Sequence, residues 1–105
     1  MGFEHQKLLS GLIRLHVLHH AAREPIYGNW MIGELARHGY QVSAGTLYPL
    51  LHGMERDGYL VSTNTRSEGH ILRLYRATAK GHRALREAKS KIRELFNELV
   101  DEDSN

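Results

Sequence analysis

The sequence predicts a mainly α-helical fold with one small β-hairpin (an α+β arrangement), and three observations support this class. Apolar residues recur at helical spacing in three segments that precede residue 58. Two runs of alternating apolar and polar residues follow, with a glycine between them. The last segment carries apolar residues at heptad spacing. Helix, tight turn, helix and hairpin is the order of a winged helix-turn-helix. We therefore expect a three-helix core, a two-stranded wing and a C-terminal dimerisation helix.

Length and composition limit the possible classes of protein. A chain of 105 residues and 12.0 kDa has the size of one domain. With no cysteine, disulfides, thiol catalysis and thiolate metal sites are excluded. No apolar run approaches the ~20 residues of a membrane span, and no signal-peptide pattern is present, so a cytoplasmic protein is expected. We expect one compact unit, with the winged helix-turn-helix in residues 1–78 and the dimerisation helix and an acidic tail in residues 79–105.

The first two helices are predicted from apolar stripes and from their terminating residues. The first spans residues 4–22 and ends before Pro25, because proline disfavours helical geometry in the preceding residue. The second spans residues 27–38 and ends at Gly39, which can adopt the left-handed conformation that commonly closes a helix. Its inward-facing residues are expected to be Met31, Ile32, Leu35 and Ala36.

The third helix is expected to begin after Ser43, whose hydroxyl can accept a bond from an unpaired amide of the first turn. It would end at Asp57-Gly58. Pro49 falls inside it and removes one backbone hydrogen bond. The helix is nevertheless predicted to continue, because apolar spacing persists on its core side at Leu47, Leu50, Leu51 and Met54.

The remaining elements are two strands and a long helix. The strands are predicted at residues 59–65 and 71–77, with a loop at residues 66–70 between them. Thr78 is expected to cap the final helix. The heptad spacing there covers about two heptads, which suits either packing on the same domain or a dimer contact; its place at the end of a small domain favours a dimer. The predicted dimer interface consists of Leu8, Leu12, Leu15, Leu85, Ala88, Ile92, Leu95 and Leu99.

The charge distribution and the start of the third helix suggest nucleic-acid binding. Residues 59–93 contain nine Lys or Arg and two acidic residues. Such a basic block beside a candidate recognition helix is typical of phosphate binding, although about half of these charges could simply be a solvated helix face. In a helix-turn-helix the first turn of the recognition helix enters the major groove, where Ser43 and Thr46 could bond phosphates or base edges. Basic residues of the wing could follow the DNA backbone.

Three sequence strings resemble a known family. These are Gly-Thr-Leu-Tyr-Pro-Leu-Leu at residues 45–51, Asp-Gly-Tyr-Leu at residues 57–60 and Tyr-Arg-Ala-Thr-Ala-Lys-Gly at residues 75–81. Together with Pro-Ile-Tyr-Gly at residues 25–28, they resemble the PadR family of bacterial transcriptional regulators. The resemblance implies a winged-helix repressor, a homodimer formed through the first and last helices, a two-fold double-stranded DNA operator and control by a small effector. It also implies that Pro49 lies within the recognition helix.

We therefore predict a dimeric DNA-binding repressor released by an apolar or aromatic small molecule. Because the wing has few basic residues, a winged-helix module that binds another protein remains an alternative. The predicted DNA contacts are Tyr27, Asn29, Ser43, Thr46, Leu47, Tyr48, Pro49, Arg66, His70, Arg73 and Lys80.

Catalysis and metal binding are weighed separately. No serine has an evident base and acid beside it, and no glycine-rich phosphate loop occurs, so no catalytic residues and no cofactor are predicted. His16 and His20 lie four residues apart on one helical face, a spacing that can hold a metal ion. A third ligand would have to come from Glu4, His5 or a partner chain. We expect surface or structural histidines and no resident metal, and keep a metal-responsive regulator that uses His16 and His20 as an alternative.

Overall fold

The computed structural model describes residues 5–104, which form four helices and one antiparallel hairpin. The predicted mainly helical class is therefore confirmed. The elements are α1 (Gln6–Arg23), α2 (Gly28–Arg37), α3 (Ala44–Arg56), β1 (Leu60–Ser67), β2 (His70–Ala77) and α4 (Ala79–Ser104).

The core lies where α1, α2 and α3 meet, and the hairpin and the start of α4 close it. Each of α1, α2 and α3 contributes two or more buried apolar side chains at helical spacing, and α4 contributes Leu85. The fully buried members are Ile13, Val17, Met31, Leu35, Leu47, Leu51, Leu60 and Tyr75. In α2 the expectation for Ala36 is wrong: this residue is exposed, and the buried face instead includes the carboxylate residue Glu34. Ile32 is only partly buried.

The segment between α1 and α2 makes a single β-bridge to strand β2, between Ile26 and Tyr75. Helix α1 ends at Arg23, two residues before Pro25, as predicted from that proline. The amide of Ile26 then donates to the carbonyl of Tyr75 at 3.0 Å, and the amide of Tyr75 donates back at 2.8 Å. This bridge ties the entry of α2 to the wing.

The hairpin turn is shorter than the loop predicted at residues 66–70. Ser67 pairs with His70, so Glu68 and Gly69 alone form the turn. Their φ angles are 50° and 81°. Two consecutive positive φ values match the right-handed twist of the strands and allow a two-residue connection. Arg66 and His70 therefore belong to paired strands rather than to a loop.

Helix α4 begins as predicted and extends far from the core. The hydroxyl of Thr78 accepts a hydrogen bond from the amide of Gly81 at 3.0 Å, which is a true N-cap. The helix has 26 residues and is therefore about 39 Å long. All residues from Lys89 to Glu102 are exposed. Within residues 5–104, no helix combines the length and the apolar character that a membrane crossing requires.

Candidate nucleic-acid interface

The start of α3 presents small and polar groups to solvent. Ser43, Ala44 and Gly45 are exposed. The carbonyl of Ser43 accepts the amides of Thr46 at 3.1 Å and Leu47 at 2.9 Å, so Ser43 holds the N-cap position. Its hydroxyl, however, donates to the Thr46 hydroxyl at 3.4 Å and caps no amide, contrary to the prediction. The exposed helix start thus offers two adjacent hydroxyls and unpaired amides, which are groups that bind phosphate or base edges.

Tyr48 connects this helix to the first turn of α2. Gly28 is buried, and a methyl group at its Cα would overlap the ring of Tyr48. The tyrosine ring therefore lies directly on the backbone at Gly28, and the two residues that flank Gly28 in the sequence, Tyr27 and Asn29, are exposed. This contact brings three of the predicted DNA contacts to one surface and explains why glycine is needed at position 28.

The wing carries two basic residues near its tip. Arg66 and His70 are exposed on adjacent strands. Within the described part of the chain, Arg66 makes no hydrogen bond or ion pair, so its guanidinium is available to a phosphate. Arg73 is held differently: its Nε donates to the Ser62 hydroxyl at 3.1 Å, and its Nη2 lies 3.7 Å from a carboxylate oxygen of Glu55.

Glu55 fixes the wing to α3, a role that no sequence pattern indicated. The carboxylate of Glu55 accepts the amide of Ser62 at 3.1 Å and the Ser62 hydroxyl at 2.7 Å. Arg73 on the other strand completes the network. Because a charged acceptor strengthens such bonds, this network sets the position of both strands relative to the candidate recognition helix.

One of the predicted DNA contacts, Leu47, is wrong, and a second, Lys80, lies away from the start of α3. Leu47 is 0% exposed and belongs to the core, so it cannot reach DNA. Lys80 donates to the carbonyl of Asp57 at 2.7 Å and lies 4.6 Å from the Tyr59 ring centre. Since α3 has 13 residues, Lys80 sits at its far end, about 20 Å from Ser43. Its role is to satisfy the C-terminal end of α3.

Thr46 and Pro49 lie between the candidate DNA surface and helix α1. Both line a shallow groove that also includes Gln6 and Ser10 of α1. Thr46 is half-buried and Pro49 is exposed. Their accessible edges therefore lie between the start of α3 and the N-terminal part of α1.

The residues predicted to form the dimer interface divide into two groups. Leu85 is buried within its own domain, and Ala88 and Leu15 are half-buried, so Leu85 is corrected to a core residue. The others are exposed: Leu8, Leu12, Ile92, Leu95 and Leu99. Phe96 and Val100, which the heptad pattern missed, add to the exposed apolar surface of α4. An apolar surface of this extent on a projecting helix is typical of an interaction site.

An apolar groove lies beside this helix. It has a volume of about 480 Å³ and runs between α1, α3 and α4. Leu15, Leu18, Leu50, Met54 and Tyr59 supply apolar walls, and Arg14 and Asp57 supply charges. Its volume is within the range of small-molecule sites.

The histidines of α1 meet residues of α2. One ring nitrogen from each of His16, His20 and His38 lies within 4.8 Å of the other two. The buried carboxylate of Glu34 lies 3.3 Å from His20 and 3.1 Å from His38. The further groups beside His16 and His20 are thus His38 and Glu34, whereas the sequence analysis considered Glu4, His5 or a partner chain as a source of a third metal ligand. Glu4 lies outside the described residues. Burial lowers the pKa of His16, and its histidine neighbours lower it further, so this ring is neutral near pH 7.

Comparisons with known proteins agree with this architecture. The model of the family described as "Transcriptional regulator PadR-like family" matches residues 17–87. Transcriptional regulator Rv3488 of Mycobacterium tuberculosis is 50% identical over 88 residues, which cover 84% of this chain and 82% of the relative. A PadR family regulator from Eggerthella lenta DSM 2243 has 34% identity and a TM-score of 0.79, over 90% of this chain and 84% of that one. A PadR-like regulator from Bacillus cereus has 29% identity and a TM-score of 0.77, over 90% and 96% of the two chains.

Proposed function

The chain belongs to the PadR-like family of transcriptional regulators, and on this basis we propose that it is a cytoplasmic homodimeric repressor of operator DNA. Each protomer would insert the start of α3 into the major groove while its wing follows the backbone. The same family assignment agrees with the expectation that the protein is not an enzyme. Two-fold symmetry would place the half-sites about one helical turn, ~34 Å, apart.

The observation that carries this proposal is the surface formed by α3 and the wing. The start of α3 exposes Ser43, Ala44 and Gly45, and a glycine there lets the helix backbone come close to DNA. Tyr48 is held in place by α2, and Arg66 extends freely from the wing. A rigid helix start beside an unpaired guanidinium is the combination that reads bases and holds phosphates.

We assign each of these residues a kind of DNA contact from its position and its neighbours. Ser43 and Thr46 are the candidates for base or phosphate bonds, Tyr48 and Pro49 for contact with sugars or thymine methyl groups, and Tyr27 and Asn29 for the backbone beside α2. Arg66 and His70 are the proposed wing contacts. Arg73 is shared between DNA and the Glu55 network, so its main effect would be to position the wing.

Dimerisation is proposed through α1 and α4. The apolar side chains of α4 beyond Ala88 are exposed, and a solvated helix of this kind is weakly stable in water without a partner. Pairing of two α4 helices would cover Ile92, Leu95 and Leu99, and Leu8 and Leu12 of α1 would add to the same interface.

Release of DNA by a small molecule is proposed for the groove between α1, α3 and α4. This groove joins the proposed dimer helices to the recognition helix. An apolar or aromatic ligand that binds there in only one dimer arrangement would shift the population away from the spacing that fits DNA.

Replacing Arg66 with alanine is expected to lower the salt dependence of DNA binding. Arg66 is a free cation at the wing, and each lost phosphate contact reduces the slope of log K against log salt by about 0.9. A dimer loses two such contacts. The slope is measured by fluorescence anisotropy with a promoter fragment between about 50 mM and 200 mM salt. Arg93→Ala, on the distant part of α4, is the control and should retain the wild-type slope; an unchanged slope for Arg66→Ala would remove this residue from the contacts.

A further inference from the structure

We propose that His16, His20, His38 and Glu34 form a binding site for a divalent transition-metal ion such as Zn²⁺. The site would join α1 to the C-terminal end of α2. None of these four residues lines the apolar groove or belongs to the proposed DNA contacts.

The positions of the ligand atoms support this site. Nε2 of His20 and Nε2 of His38 lie 3.3 Å and 3.1 Å from the same oxygen of Glu34. In a tetrahedral zinc site with bonds of ~2.0–2.1 Å, neighbouring ligand atoms are ~3.4 Å apart. Both nitrogens are therefore already at a ligand-to-ligand distance from the Glu34 oxygen, and ring nitrogens of the two histidines lie within 4.8 Å of each other. A nitrogen of His16 lies within 4.8 Å of a nitrogen of each of the other two histidines, so metal binding would require His16 to move closer to the other three ligand atoms.

The surroundings hold these side chains in place. The rings of His16 and His38 stack with centroids 4.9 Å apart, and Tyr40 meets the His16 ring edge-on at 5.2 Å. Arg37 donates to the other oxygen of Glu34 at 2.6 Å, which orients the carboxylate toward the histidines. Such an outer partner is typical of metal-ligating carboxylates.

The donor set selects the class of ion. Three imidazoles and one carboxylate suit Zn²⁺, Co²⁺, Ni²⁺ or Cu²⁺, whereas Mg²⁺ and Ca²⁺ prefer sites made entirely of oxygen. The site is preformed from two separate helices. Binding would therefore favour the arrangement of α1 and α2 in which the four side chains converge.

The location also suggests regulation, a step that rests on the proposed function. Helix α1 belongs to the proposed dimer interface, and α2 leads through Gly39 into the recognition helix. An ion held by both helices would fix the orientation of the DNA-binding unit relative to the dimer. Metal-loaded and metal-free protein should then differ in operator affinity.

The site can be tested without DNA, because the chain has a single tryptophan beside it. The ring of Trp30 lies 5.3 Å from that of His20. The full chain, freed of metal by a chelator, is titrated with ZnCl₂ while heat and Trp30 emission are recorded, and with CoCl₂ while visible absorption is recorded. We expect one ion per chain, a saturable emission change and the absorption of tetrahedral Co²⁺. No Zn²⁺ binding, or equal binding of MgCl₂, would overturn the proposal.

Variants assign the ligands. His16→Gln and His38→Gln are each expected to weaken Zn²⁺ binding by at least the ~10–100-fold that loss of an outer partner costs. His82→Gln, an exposed histidine on α4, is the matched control and should bind like the wild type. Circular dichroism is used to check that the variants are folded. Because His38 is exposed, its replacement should leave the core intact. A folded double variant that binds Zn²⁺ as tightly as the wild type would also overturn the proposal.

A DNA titration with and without Zn²⁺ separates this inference from the proposed function. A difference in promoter affinity that disappears in His38→Gln supports metal regulation. Equal affinity in both states rejects the regulation but leaves the site, which the spectra establish independently. Absence of DNA binding in both states rejects the repressor function instead.

Discussion

Replacing Leu95 with glutamate is expected to convert the protein to a monomer and to weaken operator binding by about 100-fold or more. Leu95 lies at the centre of the apolar surface of α4 and is 51% exposed in the isolated protomer. A carboxylate there would have to be buried without a partner in the dimer, which is strongly unfavourable. A monomer binds only one half-site and loses the gain of ~10²–10⁴ that comes from linking two binding events.

Sedimentation and DNA binding measured on the same samples test this prediction. Asn97→Glu is the matched control, since it adds the same charge on the side of α4 opposite the heptad positions. The control should remain dimeric and retain its affinity. If Leu95→Glu sediments as the wild type does, α4 is not the dimer interface.

Replacing Gly81 with alanine is expected to destabilise the fold, even though alanine favours helices. A methyl group at Gly81 would overlap the backbone carbonyl of Tyr59 and would lie 3.2 Å from Leu18. The backbone at Tyr59, which directly precedes β1, cannot move aside as a flexible side chain would, so α4 would have to shift away from Tyr59 and α1. Overpacking of this kind costs about 1–3 kcal/mol. The intrinsic helix preference of alanine offsets about 1 kcal/mol of this cost.

The control for this substitution is Gly33→Ala. Gly33 lies in α2, and an added methyl group there meets no atom of the described residues within 4 Å. This variant should gain about 0.5–1 kcal/mol, because no contact opposes the helix preference. Urea unfolding at one fixed protein concentration compares the two, since dimerisation makes stability depend on concentration. If the Gly81→Ala protein were as stable as Gly33→Ala, α4 would not pack closely on the backbone at Tyr59.

The elements were predictable because each depends on local pattern. Helical spacing and the positions of Pro25 and Gly39 gave the limits of α1 and α2 to within about two residues. The cap by Thr78 was predictable for the same reason. The length of the hairpin turn was not, because the positive φ of Glu68 follows from the twist of the paired strands and not from its residue type.

The site was only partly predictable, because its residues come from different elements. The string at residues 45–51 indicated the reading helix, but it could not show that Leu47 faces inward while Tyr48 lies on Gly28. Lys80 belongs to the basic block in the sequence, but only the structure shows that it binds the carbonyl of Asp57 at the C-terminal end of α3. Likewise, His38 and Glu34 lie far from His16 in sequence, so only the packing of α2 on α1 brings them together.

The most direct test of the proposed repressor is the salt dependence of wild-type binding to the promoter of its own gene. Anisotropy titrations compare this fragment with a scrambled fragment of equal length. The proposed surface predicts tighter binding to the promoter fragment and a linear fall of log K with log salt, with a slope of about −0.9 for each phosphate contacted. Affinity that does not change with salt, or that is equal for both fragments, would contradict sequence-specific DNA binding by α3 and the wing.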